Sequence, residues 1–211
     1  MKRPRIPPLL ADIIQSGLSS CDGILFDYRD ACPVCGGALS GYDTKKKQFA
    51  VLRDNEQPYP VHVLVKRFMC RQCHVICFAD EPFYPGTRSG SPVVDLCVTL
   101  AETMPFTRAA QYMAHMGILI DRGSVRNYAG SGFLPVPTAD IFGFRLPLSL
   151  ISLSTLAART GEGSRVPGVE ALAACGFPSA RRAASHLPLP REERDQREEE
   201  KDKEKWQAER P

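Results

Sequence analysis

The sequence predicts an α+β protein in which a small antiparallel sheet precedes a pair of helices and a short helical C-terminal part. Three observations carry this prediction. Two Cys-x-x-Cys motifs, Cys32–Cys35 and Cys70–Cys73, enclose stretches with strand-like alternation of apolar residues. A helical pattern interrupted by a glycine follows in residues 92–130. In residues 138–188, short apolar stretches at helical spacing alternate with Gly and Pro.

The composition allows one or two small domains with an ordinary apolar core. Of the 211 residues, 43% are hydrophobic and 24% are charged, and the net charge is +3. From Arg191 onward the chain holds seven basic and nine acidic residues, so 20 of its 27 basic and 15 of its 24 acidic residues precede that point. The body is therefore about +5, a mildly basic balance that suits nucleic acid and is also common in proteins that bind none.

The N-terminal residues 1–29 are predicted to form a helix over Pro7–Leu18 and a strand over Ile24–Tyr28. The basic start is followed by an apolar stretch too short and too rich in Pro for a signal peptide. No run approaches the ~20 apolar residues that span a bilayer, so we expect a cytoplasmic protein without a membrane partner. In that compartment thiols stay reduced, and Cys-x-x-Cys pairs favour a metal over a disulfide.

Residues 30–82 are predicted to form an antiparallel zinc ribbon. Its two strands are predicted over Gln48–Arg53 and Val61–Met69, and the polar loop Asp54–Pro60 connects them. The hairpin brings the two motifs together, and four thiolates in two pairs can close a tetrahedral Zn²⁺ site. The expected metal ligands are Cys32, Cys35, Cys70 and Cys73, although His74 and Cys77 lie close enough in sequence to replace one of them. Four cysteines would leave no open position, so the site is expected to be structural rather than catalytic.

A helix-turn-helix is predicted for residues 92–130, after a hinge over Phe83–Pro92. Its first helices run over Val93–Met104 and Thr107–Met116, and Asp121 caps the last helix, which ends near Ala129. Gly117 begins the turn. Ala110 and Ala114 are expected where the helices cross, and Ile118, Ile120, Val125 and Tyr128 are expected to anchor the last helix from below.

The outer side of the last helix carries the candidate DNA-contacting residues Arg122, Ser124, Arg126 and Asn127. Arg and Asn have the paired donors and acceptors that recognise guanine and adenine edges. Further candidates for contact with phosphate, which positions a protein without specifying a sequence, are Arg108, Arg88 and Lys66. The alternative is a plain helical hairpin whose exposed Arg and Asn side chains are only solvated.

The helical region 138–188 is predicted to contain three short helices, over Leu148–Arg159, Gly168–Cys175 and Ser179–His186. Residues 171–184 show a second, weaker helix-turn-helix pattern, in which Arg181 and Arg182 are exposed. The tail, residues 189–211, is almost wholly charged and has no apolar face, so it is expected to be disordered or an exposed helix.

The stretches VKRFMCRQC (65–73), VVDLCVTLAE (93–102) and TRAAQYMAHMGILIDRGSVRNY (107–128) resemble the N-terminal DNA-binding region of insertion-sequence transposases. The resemblance covers roughly residues 30–130. It implies that the four cysteines bind metal and that Arg122, Ser124, Arg126 and Asn127 lie on a recognition helix for the element's terminal repeat. His74 departs from the small residue usual after the second motif.

Such transposases cut DNA with two metal ions held by three acidic residues on an RNase H-like fold. After residue 130 only about 60 residues precede the tail, and their acids, Asp140, Glu162 and Glu170, follow no strand pattern that would align them. We therefore expect a DNA-binding protein, not an enzyme, whose partner is double-stranded DNA, with self-association or a separate transposase subunit as further partners. The alternatives are a transcription regulator unrelated to transposition and a protein-interaction adaptor that uses the zinc ribbon.

Overall fold

The computed structural model of the protein describes residues 6–54, 57–133, 136–160 and 166–177. Within them, six helices and two sheets confirm the predicted mixture of helices and strands. The helices are α1 (Pro8–Ser19), α2 (Ser91–Ala101), α3 (Phe106–His115), α4 (Arg122–Ala129), α5 (Leu148–Thr160) and α6 (Gly168–Ala174). The strands are β1 (Leu25–Phe26), β2 (Leu39–Asp54), β3 (Gln57–Cys70), β4 (Ile76–Phe78), β5 (Thr138–Ile141) and β6 (Phe144–Pro147). None of the described helices has the length and apolar character needed to cross a membrane.

The larger sheet is built around β3. Strand β2 pairs antiparallel with β3 from Leu39–Cys70 to Asp54–Gln57, while β1 runs parallel to β3 and β4 antiparallel to it. Both central strands are longer than predicted, since the predicted polar loop at residues 54–60 is mostly strand. The prediction failed because it followed apolar alternation, whereas here backbone pairing continues through polar residues.

The two faces of this sheet differ in burial. Val61, Val63 and Val65 are completely buried, whereas the intervening His62, Leu64 and Lys66 are only partly covered. Successive side chains of a strand point to opposite faces, so the valines define a core face and the other three residues define an open face.

A single apolar core joins the core face of the sheet to the helices. Its largest fully buried side chains include Phe49, Leu10, Ile14, Leu18, Leu96, Met113, Met116, Ile118, Leu150 and Leu153. Helix α1 packs most extensively against α5, and α2 contacts α3, α4, α5 and β6. The residues around the four cysteines lie at the end of the sheet, and the α3–α4 turn lies beside β2.

The predicted hinge before α2 is wrong, because that segment is anchored to the sheet. Phe83 and Tyr84 are buried, and the Gly90 N–H donates to the Phe49 carbonyl at 2.8 Å. The α3–α4 turn is also tied to β2: the Arg53 N–H donates to the Gly117 carbonyl at 2.8 Å. Tertiary burial of aromatic side chains outweighs the flexibility that the Gly, Pro and Ser content of the loop suggests.

The region predicted to be helical from residue 138 begins instead with the β5–β6 hairpin. Its turn residues, Phe142 and Gly143, both have positive φ angles, of 52° and 78°. Hairpin turns of this kind usually carry Asn or Asp before the Gly. Because Phe142 occupies that position, the sequence did not predict the hairpin. Helices α5 and α6 match the next two predicted helices. The predicted helix over 179–186, the second half of the weaker turn pattern with Arg181 and Arg182, and the tail lie outside the described residues.

Candidate functional site

Two turns of the same shape present the four cysteines. The Gly36 N–H donates to the Cys32 carbonyl at 2.9 Å, and the His74 N–H donates to the Cys70 carbonyl at 3.1 Å. Gly36 and His74 both have left-handed backbones, with φ of 71° and 58°. The first turn precedes β2, and the second connects β3 to β4. Pairing of β2 with β3 therefore brings the turns together.

The four sulfur atoms form a compact group, all within 4.8 Å of one another. The Sγ atoms of Cys32 and Cys73 are 3.6 Å apart, and those of Cys35 and Cys70 are 3.4 Å apart. A tetrahedral thiolate site with metal–sulfur bonds of about 2.3 Å would separate its sulfurs by about 3.8 Å. All eight cysteines of the chain are described and none is in a disulfide. The prediction that these four residues could hold a metal ion is confirmed, and neither His74 nor Cys77 belongs to the group.

Backbone amides point at two of the sulfurs. The Val34 N–H donates to Cys32 Sγ at 3.5 Å, and the N–H groups of Gln72 and Cys73 donate to Cys70 Sγ at 3.4 and 3.5 Å. The amides of Val34 and Cys35 lower the pKa of Cys32, and the Cys73 amide contributes most to lowering the pKa of Cys70 to about 6.

The pKa of Cys73 is shifted in the opposite direction. The Val75 amide lowers the pKa of Cys73, but partial burial and the neighbouring sulfurs together raise it to about 12. Four such close sulfurs cannot all be negative without a cation. Binding of a metal ion would therefore release the remaining protons.

Helices α3 and α4 are joined by a tight turn at Gly117, whose φ is 82°. The Ile118 N–H closes the end of α3 by donating to the Met113 carbonyl at 2.9 Å. Val125 and Tyr128 anchor α4 in the core as predicted. On α3, however, the buried positions are Ala109 and Met113, while the predicted crossing residues Ala110 and Ala114 are only half-buried.

The predicted contact residues of α4 are in two different situations. Arg122, Arg126 and Asn127 are exposed on the helix surface. Ser124 serves the helix cap instead: its N–H donates to Asp121 Oδ1 at 2.9 Å and its hydroxyl to Asp121 Oδ2 at 2.6 Å. These two hydrogen bonds lower the pKa of the Asp121 carboxyl. The cap predicted at Asp121 is thus confirmed, and Ser124 acts mainly within it.

The remaining candidates divide by location. Arg88 lines a cleft of about 500 Å³ beside α4, together with Asp121, Ser124 and Tyr128. The Tyr128 hydroxyl donates to the Ser89 hydroxyl at 3.2 Å, which fixes the Arg88 segment next to the helix. Arg108 is exposed on α3, with its guanidinium 5.6 Å from the centre of the Tyr112 ring.

Lys66 lies apart from this group, on the open face of the sheet. Its partner on β2 is Thr44, whereas the α3–α4 turn meets β2 at Leu52. Eight residues of strand at about 3.3 Å each separate those points by about 25 Å. Two further basic residues, Lys46 and Arg53, share its face and were missed; period-2 alternation through the Lys45–Lys47 run would have identified Lys46 had the strand been recognised.

Comparison with known proteins gives no match, whether with family models, with curated proteins or with solved structures.

Proposed function

We propose that the protein is a zinc-stabilised, double-stranded-DNA-binding protein related to transposase DNA-binding regions, and that it is not an enzyme. The observation that carries the proposal is the surface of α4. The buried side chains of Val125 and Tyr128 anchor this helix in the core. Its opposite side exposes Arg122, Arg126 and Asn127 to solvent.

Zinc is the proposed metal because of the donor set. Four soft thiolates at tetrahedral spacing suit Zn²⁺ far better than the oxygen-seeking Ca²⁺ or Mg²⁺. With all four positions taken by sulfur, no position remains for a reactive water, so the ion would stabilise the turns at the end of the ribbon.

The α3–α4 pair is the proposed helix-turn-helix. Its second helix offers guanidinium and amide groups that can form paired hydrogen bonds with base edges. Arg88 beside α4 and Arg108 on α3 are the proposed contacts to phosphates that flank the same site, and Lys66 is proposed as a more distant phosphate contact. The capped Asp121–Ser124 pair holds the start of the helix rigid, which favours a fixed orientation in the groove.

Catalysis is left out of the proposal because of how the acids are distributed. Within the described residues, the four cysteines are the only group of three or more potential metal ligands, and neither Asp140 nor Glu170 belongs to one. Glu162 lies outside those residues. A transcription regulator unrelated to transposition would share the α4 surface, and a protein-interaction adaptor would use the ribbon without DNA. The proposed protein partners are a second copy of the chain or a separate transposase subunit, and only the latter would supply a nuclease.

The test begins with selection of preferred duplexes from a random pool, followed by binding titrations at several salt concentrations. Arg126→Ala and Asn127→Ala should each reduce discrimination between selected and scrambled duplexes by about 1–3 kcal/mol, or roughly 5–150-fold. Arg159→Ala removes the same exposed charge from α5 and is the matched control. If α4 variants and the control behave alike, α4 does not recognise DNA. The selected duplex should also stay uncut with Mg²⁺ or Mn²⁺.

A further inference from the structure

We infer that the open face of the β2–β3 sheet is a second DNA-contacting surface, which binds the phosphate backbone through Lys46, Lys66 and Arg53. The inference rests on the proposed function, because it extends the contact of the same duplex beyond α4. It assigns to the sheet a sequence-independent role that differs from base recognition.

Strand register places these three side chains on one face. Lys46 pairs with Leu64 and Thr44 pairs with Lys66, and paired residues of antiparallel strands point to the same side. Arg53 follows the buried Leu52 and therefore points away from the core. The neighbouring Lys45 pairs instead with the buried Val65 and lies on the core face.

The two faces carry different charge. Both acidic residues of β2 and β3, Asp43 and Asp54, have the register of the core face. On that face Arg67 pairs with Asp43, and Lys47 Nζ lies 2.6 Å from Glu81 Oε2. Two of the three basic residues with the core-face register, Arg67 and Lys47, are thus paired with carboxylates within the protein, and Lys45 is the third.

On the open face the strands supply no carboxylate. Within the residues that the structure describes, no ion pair involves Lys46, Lys66 or Arg53, and Lys66 Nζ lies 5.4 Å from the centre of the Phe68 ring. At the rim, Asp22 accepts hydrogen bonds from the Tyr59 hydroxyl and the His62 N–H, and Asp27 follows β1. The parallel register of β1 and β3 puts Asp27 beside Lys66, so the three basic residues of the open face are opposed by Asp27 and, at the rim, by Asp22. The net charge of the face is therefore positive but is reduced near Lys66.

The face is accessible and continuous with the α3–α4 turn. Thr44, Lys46 and Gln48 are exposed. Lys46 and Lys66 are diagonal neighbours across the two strands, a relation in which the Cα atoms are about 7–8 Å apart. Arg53 lies next to the turn, since its N–H bonds to the Gly117 carbonyl. The basic track therefore begins at the turn and extends about 25 Å along the strands, which is the length of about seven base pairs.

The experiment compares adjacent lysines on opposite faces. Lys46→Ala and Lys45→Ala remove the same charge from neighbouring exposed positions, so their difference reports the face. Affinity for a selected duplex and for a scrambled duplex of the same length is measured at several salt concentrations. Lys46→Ala and Lys66→Ala should each weaken binding to both duplexes by the same factor. Each should also reduce the magnitude of the slope of log affinity against log salt concentration by about 0.9. Lys45→Ala should leave the slope unchanged. Thermal unfolding of each variant verifies that the fold is intact.

The outcomes separate this inference from the function on which it rests. If Arg126→Ala loses discrimination while Lys46→Ala and Lys45→Ala give equal slopes, the sheet is not a contact surface, although α4 still recognises DNA. Loss of discrimination in Lys46→Ala would also overturn the inference, because phosphate contacts carry no sequence information. If the unmodified protein binds no duplex, both the inference and the proposed function fail.

Discussion

Gly90 lies where the loop before α2 meets the sheet, and a methyl group there should destabilise the protein. A Cβ atom added at Gly90 would lie 2.2 and 2.3 Å from two ring carbons of Phe49, whereas ordinary contacts measure 3.4–4 Å. The ring must therefore move by more than 1 Å. Phe49 is fully buried and meets Phe83 edge-to-face, with ring centres 6.0 Å apart, so the displacement cannot be absorbed locally.

Overpacking of this kind costs about 1–3 kcal/mol, and we expect Gly90→Ala to lose that much unfolding free energy. For a chain of this size, the midpoint of thermal unfolding should fall by about 2–12 °C. Urea titration followed by circular dichroism gives the free energy, and calorimetry gives the midpoint. Gly41→Ala is the control: its added Cβ would meet only Lys66 Cε, at 3.5 Å, so its effect should stay within about 0.5 kcal/mol.

A double variant isolates the cause. Phe49→Leu removes the nearest clashing ring atom, Cε2, together with Cζ, so Gly90→Ala should cost less in that background, with a coupling of at least about 0.5 kcal/mol. Additive effects, or a Gly90→Ala protein as stable as the unmodified one, would refute the packing described for this junction. The loop would then be the flexible hinge that the sequence suggested.

The other predictions concern the metal and the cap of α4. Elemental analysis should detect one metal ion per chain. Cys70→Ser should abolish binding of this ion, whereas Cys77→Ser should retain it. Removal of the ion by a chelator should increase hydrogen exchange around the four cysteines but not at the buried valines of β3. Asp121→Ala should cost about 1 kcal/mol of unfolding free energy at pH 7. Folding lowers the pKa of Asp121, so the difference in unfolding free energy between the two proteins should have its full size above about pH 5. It should disappear as the pH falls below the ordinary pKa of 3.8. A pH-independent difference would show that the carboxylate charge plays no part.

Local sequence was sufficient for features that depend on nearest neighbours. The Cys-x-x-Cys spacing identified the four sulfurs that meet, because each pair sits on one short turn. Gly117, Asp121 and the three-residue spacing of Val125 and Tyr128 identified the turn, the cap and the buried side of α4. The resemblance to transposases, the identity of the metal and the binding of DNA stay predictions.

Features that depend on pairing between strands, or on burial by the rest of the fold, were missed. Strand β2 begins at Leu39 because its backbone bonds to β3, although its own residues there are polar. The Phe142–Gly143 turn forms a hairpin through contacts between β5 and β6. The hinge was wrong because the flexible composition of the loop does not show that Phe83 and Tyr84 are buried in the core.

The sequence by itself determined which residues could act chemically: four thiols in two pairs, and exposed arginine and asparagine on a capped helix. Only the tertiary structure decided where each of these residues lies. Strand register places Lys45 on the core face and Lys46 on the open face, and it puts Lys66 about 25 Å from the α3–α4 turn. The hydrogen bond between Tyr128 and Ser89 holds the Arg88 segment beside α4. A one-residue change of strand register moves a side chain to the other face, and register is fixed by the buried partners of both strands rather than by either strand alone.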